Sequence, residues 1–255
     1  MNHGSLFSGI GGFDLAAEWM GWNNCFHCEW NEFGQKILNY YWPKAKSYGD
    51  ITTADFTIWN GRIDILTGGF PCQPFSNAGK KKGSADERYL WEEMLRSIKE
   101  IKPRWVVGEN VANITKLEGG KTFETICISL ENEGYKVQPY IIPAAAQKAW
   151  HVRERVWLLA HNSSVRVQRN LKRQVPWKPN IPEKQDGRIF QEIRDLPTEI
   201  EPFFSGTGNG VSTRIYNEVL KGLGNAIVPQ VALQIFKAID EFNRHNPHTP
   251  ERSNR

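Results

Sequence analysis

Cysteine is scarce: Cys25, Cys28, Cys72 and Cys127 are the only four in 255 residues. That is too few for a disulfide scaffold and fits a reducing, cytosolic setting. No apolar run approaches 18 residues, which excludes a membrane-spanning helix. The start, Met1-Asn2-His3-Gly4-Ser5, has no basic segment followed by an apolar run, so no secretory signal is expected. There is no internal repeat. Charge of one sign is missing from one stretch. Between His161 and Pro182 stand Arg166, Arg169, Lys172, Arg173 and Lys178 without a single acid. What is present is ordinary for a globular chain: 40% hydrophobic residues, 24% charged residues and a net charge of +4. The length holds one full domain and a small appendage.

Residues 4 to about 162 alternate short apolar runs with helix-like stretches, the rhythm of an α/β domain. A short amino-terminal strand leads into a glycine-rich turn, and Phe13 to Met20 reads as a helix. A strand near Cys25–Glu29, a helix near Glu32–Tyr41 and a strand at Ile63–Thr67 follow. Leu90, Met94, Leu95, Ile98 and Ile101 share the spacing of one helix face within Arg88–Ile101. A buried strand is expected at Trp105–Glu109, a helix at Thr122–Glu133, and strands near Tyr135–Ile142 and Arg155–Ala160. From His161 to about Arg214 five prolines break every period. Asn217–Leu223 and Val231–Asn243 read as helices, and His245–Arg255 as a frayed tail. The expected organisation is an α/β domain at 1–162, a small proline-punctuated region at 163–216 and a carboxy-terminal part at 217–255.

Three features point to a nucleoside-bearing cofactor. Glycines in Leu6-Phe7-Ser8-Gly9-Ile10-Gly11-Gly12 allow a sharp turn and close approach of a ligand, and the helix that follows favours an acidic group at its start. Glu29 and Asp50 fall at the ends of the next strands, where α/β sheets bind ligands. Trp30 offers a flat ring for a base. The spacing is not the dinucleotide fingerprint, which disfavours an NAD-dependent dehydrogenase.

Gly68-Gly69-Phe70-Pro71-Cys72-Gln73-Pro74-Phe75-Ser76 puts a thiol on a stiff turn just past a strand, where active sites gather. A nucleophilic thiolate needs cationic or helix-dipole help, and Arg153 and Arg155 are candidates. Lys80, Lys81 and Lys82 suit a loop that closes over phosphates. Cys25-x-x-Cys28 lacks a second ligand pair, and the six histidines do not cluster, so no metal is expected.

These residues resemble the C5-cytosine-specific DNA methyltransferase family, with six motifs in the family's order. Phe7-Ser8-Gly9-Ile10-Gly11-Gly12 is similar to its S-adenosylmethionine loop. Glu29-Trp30 and Gly49-Asp50-Ile51 resemble its ribose and adenine contacts. Gly69-Phe70-Pro71-Cys72-Gln73 resembles the nucleophile motif, and Gly108-Glu109-Asn110-Val111 the acid motif. His151-Val152-Arg153-Glu154-Arg155 resembles the arginine motif, with His151 where the family has glutamine. Leu223-Gly224-Asn225-Ala226-Ile227-Val228-Pro229 is similar to the last motif. The resemblance implies a Rossmann-like, S-adenosylmethionine-dependent methyltransferase domain with a small target-recognition domain, the last helix returning to the larger one.

It implies Cys72, Glu109, Arg153 and Arg155 as catalytic residues. It implies Phe7, Gly9, Ile10, Gly11, Gly12, Glu29, Trp30, Asp50, Ile51, Phe70, Leu90, Asn225 and Ala226 as cofactor contacts. Duplex DNA would meet Gln73, Ser76, Lys80, Lys81, Lys82, Arg166, Arg169, Lys172 and Arg173. The expected protein is a cytoplasmic, nucleoid-associated monomer of a restriction-modification or phage setting, using S-adenosylmethionine, releasing S-adenosylhomocysteine and needing no metal. The family's tRNA-methylating branch carries Cys-Phe-Thr after the arginine motif, whereas Trp157-Leu158-Leu159-Ala160-His161 stands here. A DNA-binding protein on a decayed methylase fold would be expected to have lost Cys72 or Glu109, and both are present.

Overall fold

The structure is a computed structural model that describes residues 1–71, 90–143, 154–162 and 226–246. Its frame is a seven-stranded sheet. The strands are β1 (Asn2–Leu6), β2 (Asn23–Cys28), β3 (Lys46–Tyr48), β4 (Ile65–Gly68), β5 (Trp105–Val111), β6 (Tyr135–Pro143) and β7 (Glu154–Asn162). Their spatial order is β3-β2-β1-β4-β5-β7-β6. The first five are parallel, and β7 enters antiparallel between β5 and β6. The helices are α1 (Gly12–Trp19), α2 (Glu32–Tyr41), α3 (Leu90–Ile101), α4 (Lys121–Asn132) and α5 (Pro229–His245). The α/β architecture expected from the sequence holds.

Two cores flank the sheet. One joins Leu6, Phe26, Leu66, Val106, Leu158 and Ala160 to Met94, Ile98 and Ile101 of α3 and to Ile126 and Leu130 of α4. The other joins Ile65, Val107, Trp157 and Leu159 to Phe13, Ala16 and Ala17 of α1 and to Val231, Phe236 and Ile239 of α5. Alternate residues of each strand supply the two faces, as a pleated strand requires.

Boundaries shift for local reasons. β2 starts at Asn23 because it pairs from Asn2 of β1 onward, two residues before the expected start. α5 begins at Pro229, whose fixed φ suits a first helical turn. The strand expected to end at Asp50 is β3, which closes at Tyr48, and two 3-10 stretches were not anticipated: Thr57–Trp59, and Ala112–Gly120, interrupted by Glu118 and Gly119 at positive φ. Asn217–Leu223, the basic segment and the recognition region lie outside the described residues. Among the described residues no helix is long and apolar enough to cross a membrane.

Candidate active site

The glycine loop leaves β1 through left-handed backbone at Phe7 (φ 50°), Gly9 (φ 57°) and Gly11 (φ 88°). Phe7 is the costly one, since a side chain disfavours that region by about 1–3 kcal/mol. The Glu29 carboxylate ties the loop down from the end of β2. Its Oε2 accepts the Gly9 N–H at 2.7 Å and its Oε1 accepts the Asn31 N–H at 2.8 Å. Asn31 in turn caps α2, accepting from the amides of Phe33 and Gly34 at 2.9 and 3.1 Å. Helix α2 comes so close that a Cβ on Gly34 would lie 2.6 Å from the Gly9 carbonyl oxygen. On the other side, a Cβ on Gly12 would lie 2.6 Å from the Ile227 carbonyl oxygen, just before α5. Glycine is required at both places. Ile10 is half-buried.

Beside this loop lies an open cavity of about 550 Å³, lined among others by Trp30, Asn31, Phe33, Lys36, Gly49 and Asp50. Trp30 is 74% exposed there, a free indole face. Gln35 Nε2 donates to the carbonyl of Glu29 at 2.7 Å and to that of Trp30 at 3.4 Å, which fixes the turn carrying both. Asp50 Oδ1 accepts the Thr52 amide and hydroxyl at 2.9 and 2.8 Å. Ile51 turns its side chain into the core, 5% exposed, so it offers the cavity only backbone. A volume in the range of small-molecule sites, a flat ring and the carboxylates of Glu32 and Asp50 fit a nucleoside carrying an amino acid. Gln35 and Gly34 were not singled out from the sequence. A glycine in the first turn of a helix was the available signal.

A second constellation forms at the strand ends further along the sheet. Glu109 near the end of β5 is paired in register with Trp157 of β7, and Val111 with Arg155. Arg155 Nε donates to Glu109 Oε1 at 3.0 Å, with both side chains largely buried. Glu109 Oε2 lies 3.7 Å from where a Cβ on Gly69 would stand. Asn110 Nδ2 donates to the Phe70 carbonyl at 2.8 Å and so fastens the loop leaving β4. Phe70 is buried and tilted on Trp91, next to Leu90 at the start of α3. Ala226 and Val228 close the cavity that Glu109, Arg155 and Trp157 line. Glu109, Arg155 and the loop entering the cysteine turn thus meet at one place. Cys72, Gln73, Ser76, Lys80, Lys81, Lys82, Arg153, Arg166, Arg169, Lys172, Arg173 and Asn225 lie outside the described residues.

Cys25 and Cys28 engage different groups: Asn23 Nδ2 donates to the Cys25 sulfur at 3.2 Å, and the Cys28 thiol donates to the Gly49 carbonyl at 3.5 Å. Burial pushes the Cys28 thiol up to about 12, with Glu29 and Asp50 adding to the rise. It is an inert thiol.

A family model described as C-5 cytosine-specific DNA methylase matches residues 1–218. The chain belongs to that family. Among curated relatives, it is 40% identical over 157 residues to the type II methyltransferase M.PspPI of Psychrobacter, covering 60% of this chain and 38% of that one. It is 30% identical over 249 residues to a type II methyltransferase of Escherichia coli, covering 82% of this chain and 60% of the relative. The chain therefore spans about two-fifths to three-fifths of the length of these relatives. Among solved structures, a methyltransferase of Entamoeba histolytica superposes with a TM-score of 0.62 at 14% identity, covering 95% of this chain and 98% of that one. At that identity the likeness concerns the fold of the methylase family alone.

Proposed function

We propose that this chain transfers a methyl group from S-adenosylmethionine to C5 of a cytosine flipped out of duplex DNA. The observation that carries the reading is the Glu109–Arg155 pair on neighbouring strands, held beside Gly69 at the root of the Cys72 loop. Family membership and the separate nucleoside-shaped cavity support it. When bound, S-adenosylmethionine supplies an electrophilic methyl group at its sulfonium. Glu29 and Asp50 would hold its ribose and adenine, Trp30 would stack on the base, and the loop Phe7–Gly12 would take the amino-acid end.

Cytosine C5 is too weak a nucleophile by itself, so a covalent route is needed. The Cys72 thiolate adds its electron pair to C6, and the C5=C6 electrons move toward C5 and the ring nitrogen N3. Glu109, as the acid form, gives a hydrogen bond to N3 and takes one from the exocyclic amine. Arg155, with Arg153, donates to O2 and offsets the charge that develops there. Once C5 is methylated, a base removes its proton and the returning electron pair expels Cys72 as thiolate. A stacked base cannot reach a thiol, so the cytosine must leave the duplex, as in methyltransferases generally. The small target-recognition region at 163–216, with the cations between His161 and Pro182, would serve the duplex. The reading places the protein with DNA in the cytoplasm.

The decisive test is covalent trapping. DNA carrying 5-fluorocytosine, with S-adenosylmethionine, should hold the protein in a complex that survives denaturation, and Cys72→Ala should abolish both the complex and methyl transfer. Methyl transfer without trapping would overturn the covalent route. Trapping at a site other than cytosine would overturn the substrate.

A further inference from the structure

Beneath the glycine loop lies a buried polar cluster that the proposed chemistry does not use. Asp14, in the first turn of α1, is wholly buried. The Ser5 hydroxyl of β1 stands 2.9 and 3.0 Å from its two carboxyl oxygens and 2.6 Å from the hydroxyl of Ser8. Ser8 belongs to the loop itself. Its Oγ accepts the Cys28 N–H at 3.2 Å and lies 3.2 Å from the Cys28 carbonyl oxygen, while its carbonyl accepts the Gly11 N–H at 2.9 Å.

Each serine has one proton to give, and that decides what the chain can do. An ionised Asp14 only accepts. Ser5 must then donate to Asp14 and the Ser8 hydroxyl to Ser5, so the Cys28 carbonyl keeps only the Ser8 N–H, at 3.1 Å. A neutral Asp14 donates to Ser5, Ser5 to Ser8, and Ser8 to the Cys28 carbonyl. The second arrangement ties the loop to β2 by one more hydrogen bond.

We propose that Asp14 is a positioning residue for the loop from Phe7 to Gly12, acting through a Ser5–Ser8 chain whose direction reverses with the proton on Asp14. The inference rests on the reading of that loop as the cofactor's seat. Burial raises the Asp14 carboxyl to about 7, against the pull of the Ser5 hydrogen bond, so both directions are populated near neutrality. The titratable groups around it leave this intact. His3 of β1 and His27 of β2 are both lowered by burial, His3 to about 4. Glu18, one turn along α1, accepts the Trp42 indole N–H at 2.8 Å. Glu32 and Lys36 of α2 and Lys237 and Glu241 of α5 are exposed.

The test is a calorimetric titration with S-adenosylhomocysteine from about pH 5.5 to about pH 8.5, on wild type, Asp14→Asn and Ser5→Ala. One hydrogen bond is worth about 0.5–1.5 kcal/mol, so wild-type affinity should fall by about 2- to 10-fold as the pH rises through 7. Asp14→Asn keeps a donor toward Ser5 and does not titrate, so its affinity should stay high. Ser5→Ala breaks the chain. The Ser8 proton is then left with the Cys28 carbonyl as its acceptor, so affinity should be high and flat, although Asp14 is still there. The ligand's own amino group titrates near 8 and is common to all three proteins. Urea unfolding without ligand gives the second readout, in which wild type should lose stability relative to Asp14→Asn from about pH 4 to about pH 7.

Parallel profiles for wild type and Asp14→Asn would overturn the relay and leave the cofactor site standing. A full pH step in Ser5→Ala would overturn it as well, since Asp14 would then act through its charge alone; this arm decides the matter if Asp14→Asn does not fold. Wild type that binds no S-adenosylhomocysteine at any pH would overturn the cofactor reading itself.

Discussion

The two faces of the sheet each hold an apolar core, and they differ in what β1, β2 and β4 add to it. On the face under α3 and α4, β1, β2, β4 and β5 turn Leu6, Phe26, Leu66 and Val106 into a core of carbon. On the face under α1, beside the second apolar core, β1, β2 and β4 also present His3, Ser5, His27 and Thr67, all fully buried. Asn24 joins them. His3 Nδ1 donates to Asn24 Oδ1 at 2.6 Å, Asn24 Nδ2 donates to the Asp14 carbonyl at 2.9 Å, and the Thr67 hydroxyl donates to His3 Nε2 at 2.9 Å. Burying carbon gives the larger stabilisation and is indifferent to direction. Hydrogen bonds add little net stability, but they fix which atom lies where, and a broken one leaves a costly unpaired partner. These polar side chains also lie beneath the glycine loop, and Thr67 is on the strand that leads to Cys72. Position is worth more than stability there.

The contrast is broken most strongly on the face under α3 and α4. Phe26 is fully buried, and its ring lies 5.4, 5.3 and 5.8 Å from those of Phe56, Trp59 and Tyr48. Phe26→Ala should cost about 3–5 kcal/mol in urea unfolding, equally at all pH values. A loss below about 1 kcal/mol would mean that this core can collapse onto the gap.

Among the buried polar side chains the cost is smaller and depends on pH. His3→Leu strands Asn24 and Thr67 and should cost about 1–3 kcal/mol at neutral pH. His3 is depressed to about 4 in the fold, so its contribution is complete above about 6.5 and is lost as the pH falls toward 4. Asp14 is raised to about 7 and has the opposite sign, its contribution being present at low pH and lost as the pH rises through 7. Between about 4 and 6.5 the two offset one another in wild type. His3→Leu should uncover the Asp14 slope, so that stability rises as the pH falls. A variant curve parallel to wild type would show that His3 does not titrate with folding.

A third substitution tests the seam between loop and helix. Gly→Ala inside a helix usually stabilises by up to about 1 kcal/mol. At Gly34 the sign should reverse, because the new Cβ would meet the Gly9 carbonyl oxygen at 2.6 Å and Glu29 Cγ at 2.9 Å. Gly34→Ala should destabilise by about 1–2 kcal/mol and weaken S-adenosylhomocysteine binding. A more stable variant with unchanged affinity would show that α2 can back away from the loop at no cost.

The helices were legible on both faces: Leu90, Met94, Ile98 and Ile101 announce α3 by spacing, and α2 runs over the expected Glu32–Tyr41. The buried polar side chains of the strands were not. His3 and Ser5 alternate with Gly4 and Leu6 along β1, and both sides are buried. Nothing local says that Asp14, nine residues on, will return to meet Ser5. Of the motif residues, Trp30 and Asp50 line one cavity, and Glu29 ties the turn beside it. The Glu109–Arg155 pair was legible as two residues but not as a contact. It depends on β7 entering antiparallel beside β5, a long-range choice that no short window carries.

The smallest effect expected is at the start of α2, and it tells position from stability most cleanly. Asn31 accepts two first-turn amides through Oδ1, and its own N–H goes to Glu29. Replacing an N-cap asparagine by alanine costs about 1 kcal/mol, and serine or aspartate recovers most of it. Asn31→Ala keeps the backbone N–H to Glu29, so the loop's tether survives while the helix start loosens. Urea unfolding should therefore register a loss of about 1 kcal/mol, with Asn31→Asp close to wild type. If helix and loop are separable, S-adenosylhomocysteine affinity should change by less than about 3-fold, under 1 kcal/mol. A loss of affinity much larger than the loss of stability would show that the α2 cap is itself part of the cofactor seat, and that polar positioning extends as far as Trp30.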